Sequence, residues 1–147
     1  MKKFLIYYNN IFNKISDYLQ PIFLLSIRIY VGWIFFKAGL NKISGWDATL
    51  YLFEEEYKVP LISPHIAAYL ATAGEIVLPV VLVLGILSRL SALKLFILNA
   101  VAVISYPALW SGGFYDHKLW GLALFIIILW GPGKISTDYL ICKKLQK

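Results

Sequence analysis

The sequence predicts an all-α integral membrane protein: a four-helix bundle preceded by an N-terminal amphipathic helix that lies on the membrane surface. Three observations support this class. The 147-residue chain is 60% hydrophobic and only 15% charged, whereas soluble domains average about 25% charged residues. The chain has four apolar segments, and the second of them is about as long as an α-helix needs to cross the roughly 30 Å hydrocarbon core of a bilayer. The basic residues lie at the ends of these segments, where lipid headgroups would meet them.

The same composition argues against several other classes. Although the net charge is +6, the cations are not clustered as a nucleic-acid surface requires, so no nucleic-acid partner is expected. A single cysteine, Cys142, excludes an internal disulfide and a CxxC redox pair. Two histidines and scattered carboxylates do not make a recognisable metal site, so no metal is expected.

Residues 1–20 predict an amphipathic helix rather than a signal peptide. Apolar side chains recur there at helical spacing, and most polar side chains lie elsewhere on the helical wheel. The apolar stretch is interrupted early by Asn9 and Asn10, and no small-residue cleavage site follows. A helix of this kind lies in the membrane interface, and Pro21 is predicted to mark the turn into the bilayer.

The four apolar segments that follow are each predicted to span the membrane. They cover residues 22–40, 66–87, 90–109 and 117–130. The last is the shortest, but a segment of about 15 residues can span a locally thin or protein-packed region. Short second and third loops make neighbouring helices antiparallel, which favours a four-helix bundle. Small residues are expected to allow close helix contacts. They are Gly32, Gly39, Ala67, Ala71 and Gly74.

The distribution of lysine and arginine predicts four spans with both termini in the cytoplasm, in a bacterial inner membrane. The N-terminal segment, the second loop and the tail are basic, whereas the loop at 41–64 is acidic and the loop at 111–116 has no lysine or arginine. Positively charged loops stay on the cytoplasmic side. The predicted domains are the surface helix at 1–20, the four-helix transmembrane domain at 21–140 and a basic cytoplasmic tail at 141–147.

Glu75 lies near the middle of the second apolar segment, where an ionisable side chain is costly. Four residues later, Pro79 has no N–H to donate to the carbonyl of Glu75. Side chain and backbone therefore both lack partners at a depth that water does not reach. This makes Glu75 a candidate functional residue. A purely structural ion pair, or a protonated and hydrogen-bonded glutamate, is the alternative.

Arg28 and Lys37 of the first segment both lie within side-chain reach of the level of Glu75. They are nine positions apart, which places them on opposite sides of a straight helix, so one of them is expected to pair with the carboxylate. Arg28 is the predicted partner, because its planar guanidinium suits a carboxylate and keeps its charge. In the alternative, either cation extends to the lipid headgroups instead.

His117 opens the fourth segment directly after Asp116. It is a candidate for a proton relay or for a hydrogen bond to a ligand. The alternative is that Asp116 starts the helix and His117 only marks the membrane interface.

Four stretches of the chain resemble the DoxX family of small four-helix membrane proteins. They are RIYVGWIFFKAGLNK from Arg28 to Lys42, Gly74-Glu75 followed by LGILSR up to Arg89, His117 at the start of the last segment, and GPGKISTD from Gly131 to Asp138. Their order and spacing carry the resemblance, which extends over nearly the whole chain from Leu25 to Leu140.

The resemblance implies a membrane component of an oxidoreductase system. Members of the family look like subunits of thiosulfate:quinone oxidoreductase or partners of membrane-bound redox complexes. By this resemblance Arg28, Glu75 and His117 are the candidate contacts of a substrate or of a quinone head group, with apolar side chains around the isoprenoid tail. Lys37 is a further candidate because of its position in the first segment. A quinone is the only redox cofactor expected, and whether the chain is itself an enzyme stays open.

Two other functions fit the same sequence. One is a non-catalytic scaffold that binds a larger partner through the surface helix and the acidic loop. The other is a small transporter with Glu75 as the coupling carboxylate, although four spans make a small pathway unless the chain forms homo-oligomers. The expected partners are thus the lipid bilayer, a quinone or other small apolar ligand, a redox partner protein and further copies of the chain.

Overall fold

The computed structural model describes residues 1–146, which form seven α-helices and no strand. The helices are α1 Lys2–Ser44, α2 Trp46–Glu55, α3 Pro64–Leu84, α4 Ser88–Ser105, α5 Leu109–Gly112, α6 Phe114–Trp130 and α7 Thr137–Leu145. By length and composition, α1, α3 and α4 could each cross a membrane. The all-α prediction is confirmed.

Four helices enclose the main core. The helix α1 packs along α3, α3 packs against α4, α4 against α6, and α6 also contacts α1. Buried apolar side chains from all four meet at the centre of this arrangement. They are Val31, Phe35, Leu82, Ala92, Leu95, Leu124 and Ile127. With 17 residues, α6 is the shortest of the four, and its role as a fourth membrane span stays a prediction.

The helix α1 is continuous over 43 residues and includes Pro21, so the prediction of a turn at Pro21 is wrong. A proline removes one backbone hydrogen bond from a helix, here the bond to the carbonyl of Asp17, and the neighbouring turns keep theirs. Every residue from 1 to 20 is exposed, and Pro21 is the first buried one. At a rise of roughly 1.5 Å per residue α1 is about 64 Å long, twice the thickness of a bilayer core.

The acidic segment predicted as a loop contains a helix. The first helix ends at Ser44 rather than near residue 40, and α2 follows after Gly45 alone. The helix α2 packs on the start of α3, where Phe53 meets Ala67 and Ala68 in a second, smaller core. Much of the segment between the first and second apolar regions is therefore helical and packs on one end of the bundle.

The turn between α3 and α4 is held by the beginning of α7. Both carboxylate oxygens of Asp138 accept hydrogen bonds from the backbone, one from the N–H of Leu87 and one from the N–H of Ser88, each at 2.8 Å. The hydroxyl of Thr137 donates to the carbonyl of Leu84 at 2.8 Å. Ser136 caps α7 by accepting from the N–H of Tyr139. The C-terminal segment thus closes the end of the bundle opposite α2.

Glycines on α1 allow α3 to approach closely, as the sequence predicts. A Cβ atom at Gly39 would lie 2.9 Å from Cδ1 of Ile76 and 3.0 Å from Cβ of Glu75. A Cβ atom at Gly32 would lie 2.6 Å from Cγ2 of Val83. Gly39 therefore allows α1 to lie directly against the turn of α3 that carries Glu75.

We expect Gly39→Val to destabilise the folded protein by about 1–3 kcal/mol, because the added atoms force α1 and α3 apart. Thermal unfolding in detergent measures this loss. The matched control is Gly45→Val, since a Cβ atom at Gly45 has only the carbonyl oxygen of Asn41 nearby, at 3.8 Å. Equal losses from the two variants would contradict the close contact at Gly39.

Candidate functional site

Glu75 forms an ion pair with Lys42, not with the predicted Arg28. The Nζ atom of Lys42 lies 2.6 Å from Oε2 of Glu75, and the two side chains are 18% and 8% exposed. Lys42 belongs to the last turn of α1, and Glu75 to the middle of the antiparallel α3. The prediction of Arg28 was wrong because α1 continues past residue 40, which brings a closer cation to the level of the carboxylate.

Arg28 lies near the other end of the bundle and is fully buried. Its Nη1 atom donates to the carbonyl oxygen of Val83 at 3.1 Å and to that of Leu82 at 3.4 Å, and its Nη2 atom donates to the carbonyl of Ile135. The last carbonyls of a helix have no partner within the helix and carry partial negative charge. Arg28 therefore caps the C-terminal end of α3 and ties it to the segment before α7.

Asn99 of α4 and His117 of α6 form a second polar pair. The amide nitrogen of Asn99 donates to the backbone carbonyl of His117 at 3.0 Å, and Oδ1 of Asn99 lies 2.7 Å from Nδ1 of His117. With the amide held this way round, Nδ1 must be the donor of the second bond. In the neutral ring Nε2 is then the acceptor, and it makes no hydrogen bond to residues 1–146.

The two pairs lie on one cavity of about 450 Å³ between α1, α3, α4 and α6. Its walls include the aromatic side chains of Trp33, Phe35 and Trp120. Seven polar or ionisable residues also line it. They are Lys37, Asn41, Lys42, Tyr57, Glu75, Asn99 and His117. This cavity brings seven polar or ionisable side chains together inside an otherwise apolar bundle, and we take it as the candidate site.

A stack of three aromatic rings lies beside the cavity. The ring of Tyr57 stacks on Phe53 with centroids 4.5 Å apart and on Tyr106 with centroids 4.7 Å apart. Burial, and then the negative charge of Glu75, raise the pKa of the Tyr57 phenol to about 12. Tyr57 therefore keeps its proton at neutral pH and can offer an O–H donor to the cavity.

A second, more apolar cavity of about 290 Å³ adjoins the first. It shares Lys42, Tyr57 and Glu75 with the first cavity, and aliphatic side chains of α3 and α4 such as Leu70, Ile97 and Val101 form most of its remaining lining. The ion pair is therefore part of the wall between a polar chamber and an apolar one.

Three of the four predicted site residues, Lys37, Glu75 and His117, line the polar cavity, and Arg28 does not. Lys42 is the main residue that sequence reasoning missed. The sequence pattern could have indicated Lys42, because this residue continues the buried face of α1. That face passes through Arg28, Phe35 and Gly39, at intervals close to the helical period.

Comparison with known proteins identifies the family. The sequence model of the DoxX family matches residues 23–108, which include both members of the ion pair. An uncharacterised protein of Haemophilus influenzae is 34% identical over 139 residues, covering 88% of this chain and 90% of the relative. The inner membrane protein YphA of Escherichia coli is 30% identical over 129 residues, covering 81% of this chain and 90% of the relative.

An uncharacterised membrane protein of Mycobacterium tuberculosis is 30% identical over 139 residues, with 84% of each chain covered. No solved structure is significantly similar to this chain. The family match covers more than half of the sequence, and two of these relatives are named as membrane proteins. The chain is therefore an integral membrane protein that belongs to the DoxX family.

Proposed function

We propose that this protein is a membrane subunit or partner of a quinone-linked oxidoreductase system, and that the polar cavity binds the quinone head group. A bound quinone supplies two-electron, two-proton redox chemistry, with the electrons coming from a redox partner protein. The observation that carries the proposal is the cavity between four apolar helices, lined by the Lys42–Glu75 and Asn99–His117 pairs. Its volume of about 450 Å³ lies within the usual range of small-molecule sites.

The residues present fit a quinone head group. Such a group is a flat ring with two carbonyl acceptors, and it needs hydrogen-bond donors beside aromatic or apolar walls. Lys42 and Tyr57 are donors, and Trp120 provides an aromatic wall. The adjoining apolar cavity of about 290 Å³ suits the first part of an isoprenoid tail. Both chambers are therefore assigned to one amphipathic ligand.

The chain's own residues would bind the ligand and hold protons. The ammonium group of Lys42 has three N–H donors and uses one on Glu75, which leaves others for a ligand carbonyl. The Nε2 atom of His117 accepts a proton, and Nδ1 stays hydrogen-bonded to Asn99. The ring is thereby fixed in orientation while it gains or loses a proton. Lys37 adds a positive charge on the wall.

We expect His117→Phe to weaken the binding of a short-chain quinone analogue about tenfold, because the change removes one hydrogen bond to the ligand and the partner of Asn99. Quenching of tryptophan fluorescence on titration of the purified protein measures the affinity, since Trp33 and Trp120 line the cavity. His65→Phe is the matched control, because His65 is exposed and outside the cavity. Purified protein that binds no quinone, or equal effects of the two variants, would overturn the proposal.

We also propose four membrane spans with both termini in the cytoplasm, with α6 as the fourth span. The mutual packing of α1, α3, α4 and α6 supports this arrangement, as does the positive charge near the α3–α4 turn and in the tail. In this topology α2 and the polar cavity lie toward the outer face. The basic end of the bundle lies toward the cytoplasm.

A scaffold role is the second candidate, and one observation favours it. The first 20 residues of α1 are exposed throughout, although they carry an apolar face. Phe4, Tyr8 and Phe12 form a continuous aromatic ladder on this face, with successive centroids 6.5 and 4.5 Å apart. We propose that this face binds a partner protein. Loss of a co-purifying partner on deletion of residues 1–20 would support the second reading.

A further inference from the structure

A separate pocket lies at the other end of the bundle, away from the ion pair. It has a volume of about 590 Å³ and lies between the start of α4, the segment 131–134 and α7. None of its lining residues belongs to the polar cavity. Nothing proposed for the quinone site therefore explains this pocket.

The charge of the pocket is positive overall. Arg89 and Lys134 are its two cations, and Asp138 is its one carboxylate. Both oxygens of Asp138 already accept backbone hydrogen bonds. The guanidinium of Arg89, in contrast, makes no hydrogen bond or ion pair within residues 1–146, and neither does the ammonium group of Lys134. Both cations are exposed, so the recess offers free positive charge to an anionic ligand.

The backbone leaves room for the guanidinium of Arg89. A Cβ atom at Gly131 would lie 3.2 Å from its Nε atom and 3.3 Å from its Nη2 atom. Gly131 also has a φ of 77°, which L side chains rarely adopt. The glycine therefore allows both the sharp exit of the chain from α6 and the packing of Arg89 against the backbone.

The remaining walls are apolar and aromatic. Leu87, Leu90, Trp130 and Tyr139 line the pocket, and all four are exposed, at the ends of helices or in the α3–α4 turn. Tryptophan and tyrosine favour the boundary between lipid tails and headgroups, and leucines suit acyl chains. A small free anion would make no contact with these apolar walls. A phospholipid would contact the walls with its acyl chains and the two cations with its phosphate.

We propose that this pocket binds an anionic phospholipid, with the phosphate at Arg89 and Lys134 and the acyl chains against the leucines and Trp130. Phosphatidylglycerol is the probe. Native mass spectrometry of delipidated protein titrated with this lipid should show tighter binding than with phosphatidylcholine. Arg89→Gln should weaken phosphatidylglycerol about fivefold, and the double variant with Lys134→Gln about thirtyfold, as expected for one and two lost surface cations.

Lys143→Gln is the matched control, because Lys143 is a cation of α7 that does not line the pocket. It should leave the lipid affinity unchanged. The proposal is overturned if Lys143→Gln weakens binding as much as Arg89→Gln, or if the two lipids bind equally. It is also overturned if millimolar glycerol phosphate displaces the lipid, since the pocket then binds a free anion. Thermal unfolding without lipid checks that every variant is folded.

Discussion

Replacing Lys42 by methionine is expected to destabilise the protein by about 3–5 kcal/mol, the usual cost of breaking a buried ion pair by removing one partner. The Glu75 side chain is only 8% exposed and would lose its counterion. Thermal unfolding in detergent measures the loss.

A double-mutant cycle isolates the pair. The variants are Lys42→Met, Glu75→Gln and the two together, and the double variant should be more stable than the sum of the single losses predicts by about 1–3 kcal/mol. Additive losses would contradict the ion pair. Lys37→Met is the control on the same helix, since Lys37 makes no ion pair with any residue of 1–146 and should change stability by less than about 0.5 kcal/mol.

Replacing Arg28 by leucine should cost roughly 3 kcal/mol or more. The change leaves the carbonyl oxygens of Leu82, Val83 and Ile135 without their charged donor, and each buried unsatisfied group costs about 1–3 kcal/mol. Arg28→Lys should recover only part of the loss, because an ammonium group lacks the planar fork that reaches several acceptors.

The Arg28 variants also separate a structural role from a binding role. If Arg28 only caps α3, Arg28→Lys lowers the unfolding temperature and leaves the affinity for the quinone analogue unchanged. If the Arg28→Lys protein is folded but binds the quinone analogue more weakly, Arg28 contributes to ligand binding. Arg89→Gln, measured without lipid, is the control, because Arg89 is an exposed arginine near the same end of the bundle and should change stability little.

The sequence was sufficient to predict the helical class, the membrane location and the family, because each depends on the average composition of long segments. The sequence was less reliable for the ends of helices, where a single backbone hydrogen bond can decide whether a helix continues. The sequence predicts a turn at Pro21, but α1 continues through this residue. The sequence also predicts a loop for the acidic segment, where the structure has α2. The amphipathic pattern of α2 is weak, because its buried side chains are only Thr49 and Phe53.

For the site, Glu75 and His117 could be predicted because buried ionisable groups are costly wherever they occur. Their partners could not be predicted so well, since a partner depends on helix ends and on which faces meet. The sequence predicts Lys42 in the loop after the first segment, because that segment is predicted to end at residue 40, four residues before the end of α1. An asparagine in an apolar helix can also have a purely structural role, so Asn99 alone does not indicate a site. Its hydrogen bonds to His117 depend on the contact between α4 and α6.

The unbroken course of α1 makes this helix a mechanical connection along the whole molecule. Arg28 and Lys42 are fourteen positions apart and lie within about 40° of each other around its axis, so any rotation of α1 moves both side chains in the same direction. The exposed first 20 residues are part of the same rod. A force applied there by a bound protein would reach the C-terminal cap of α3 and the wall between the two cavities at the same time.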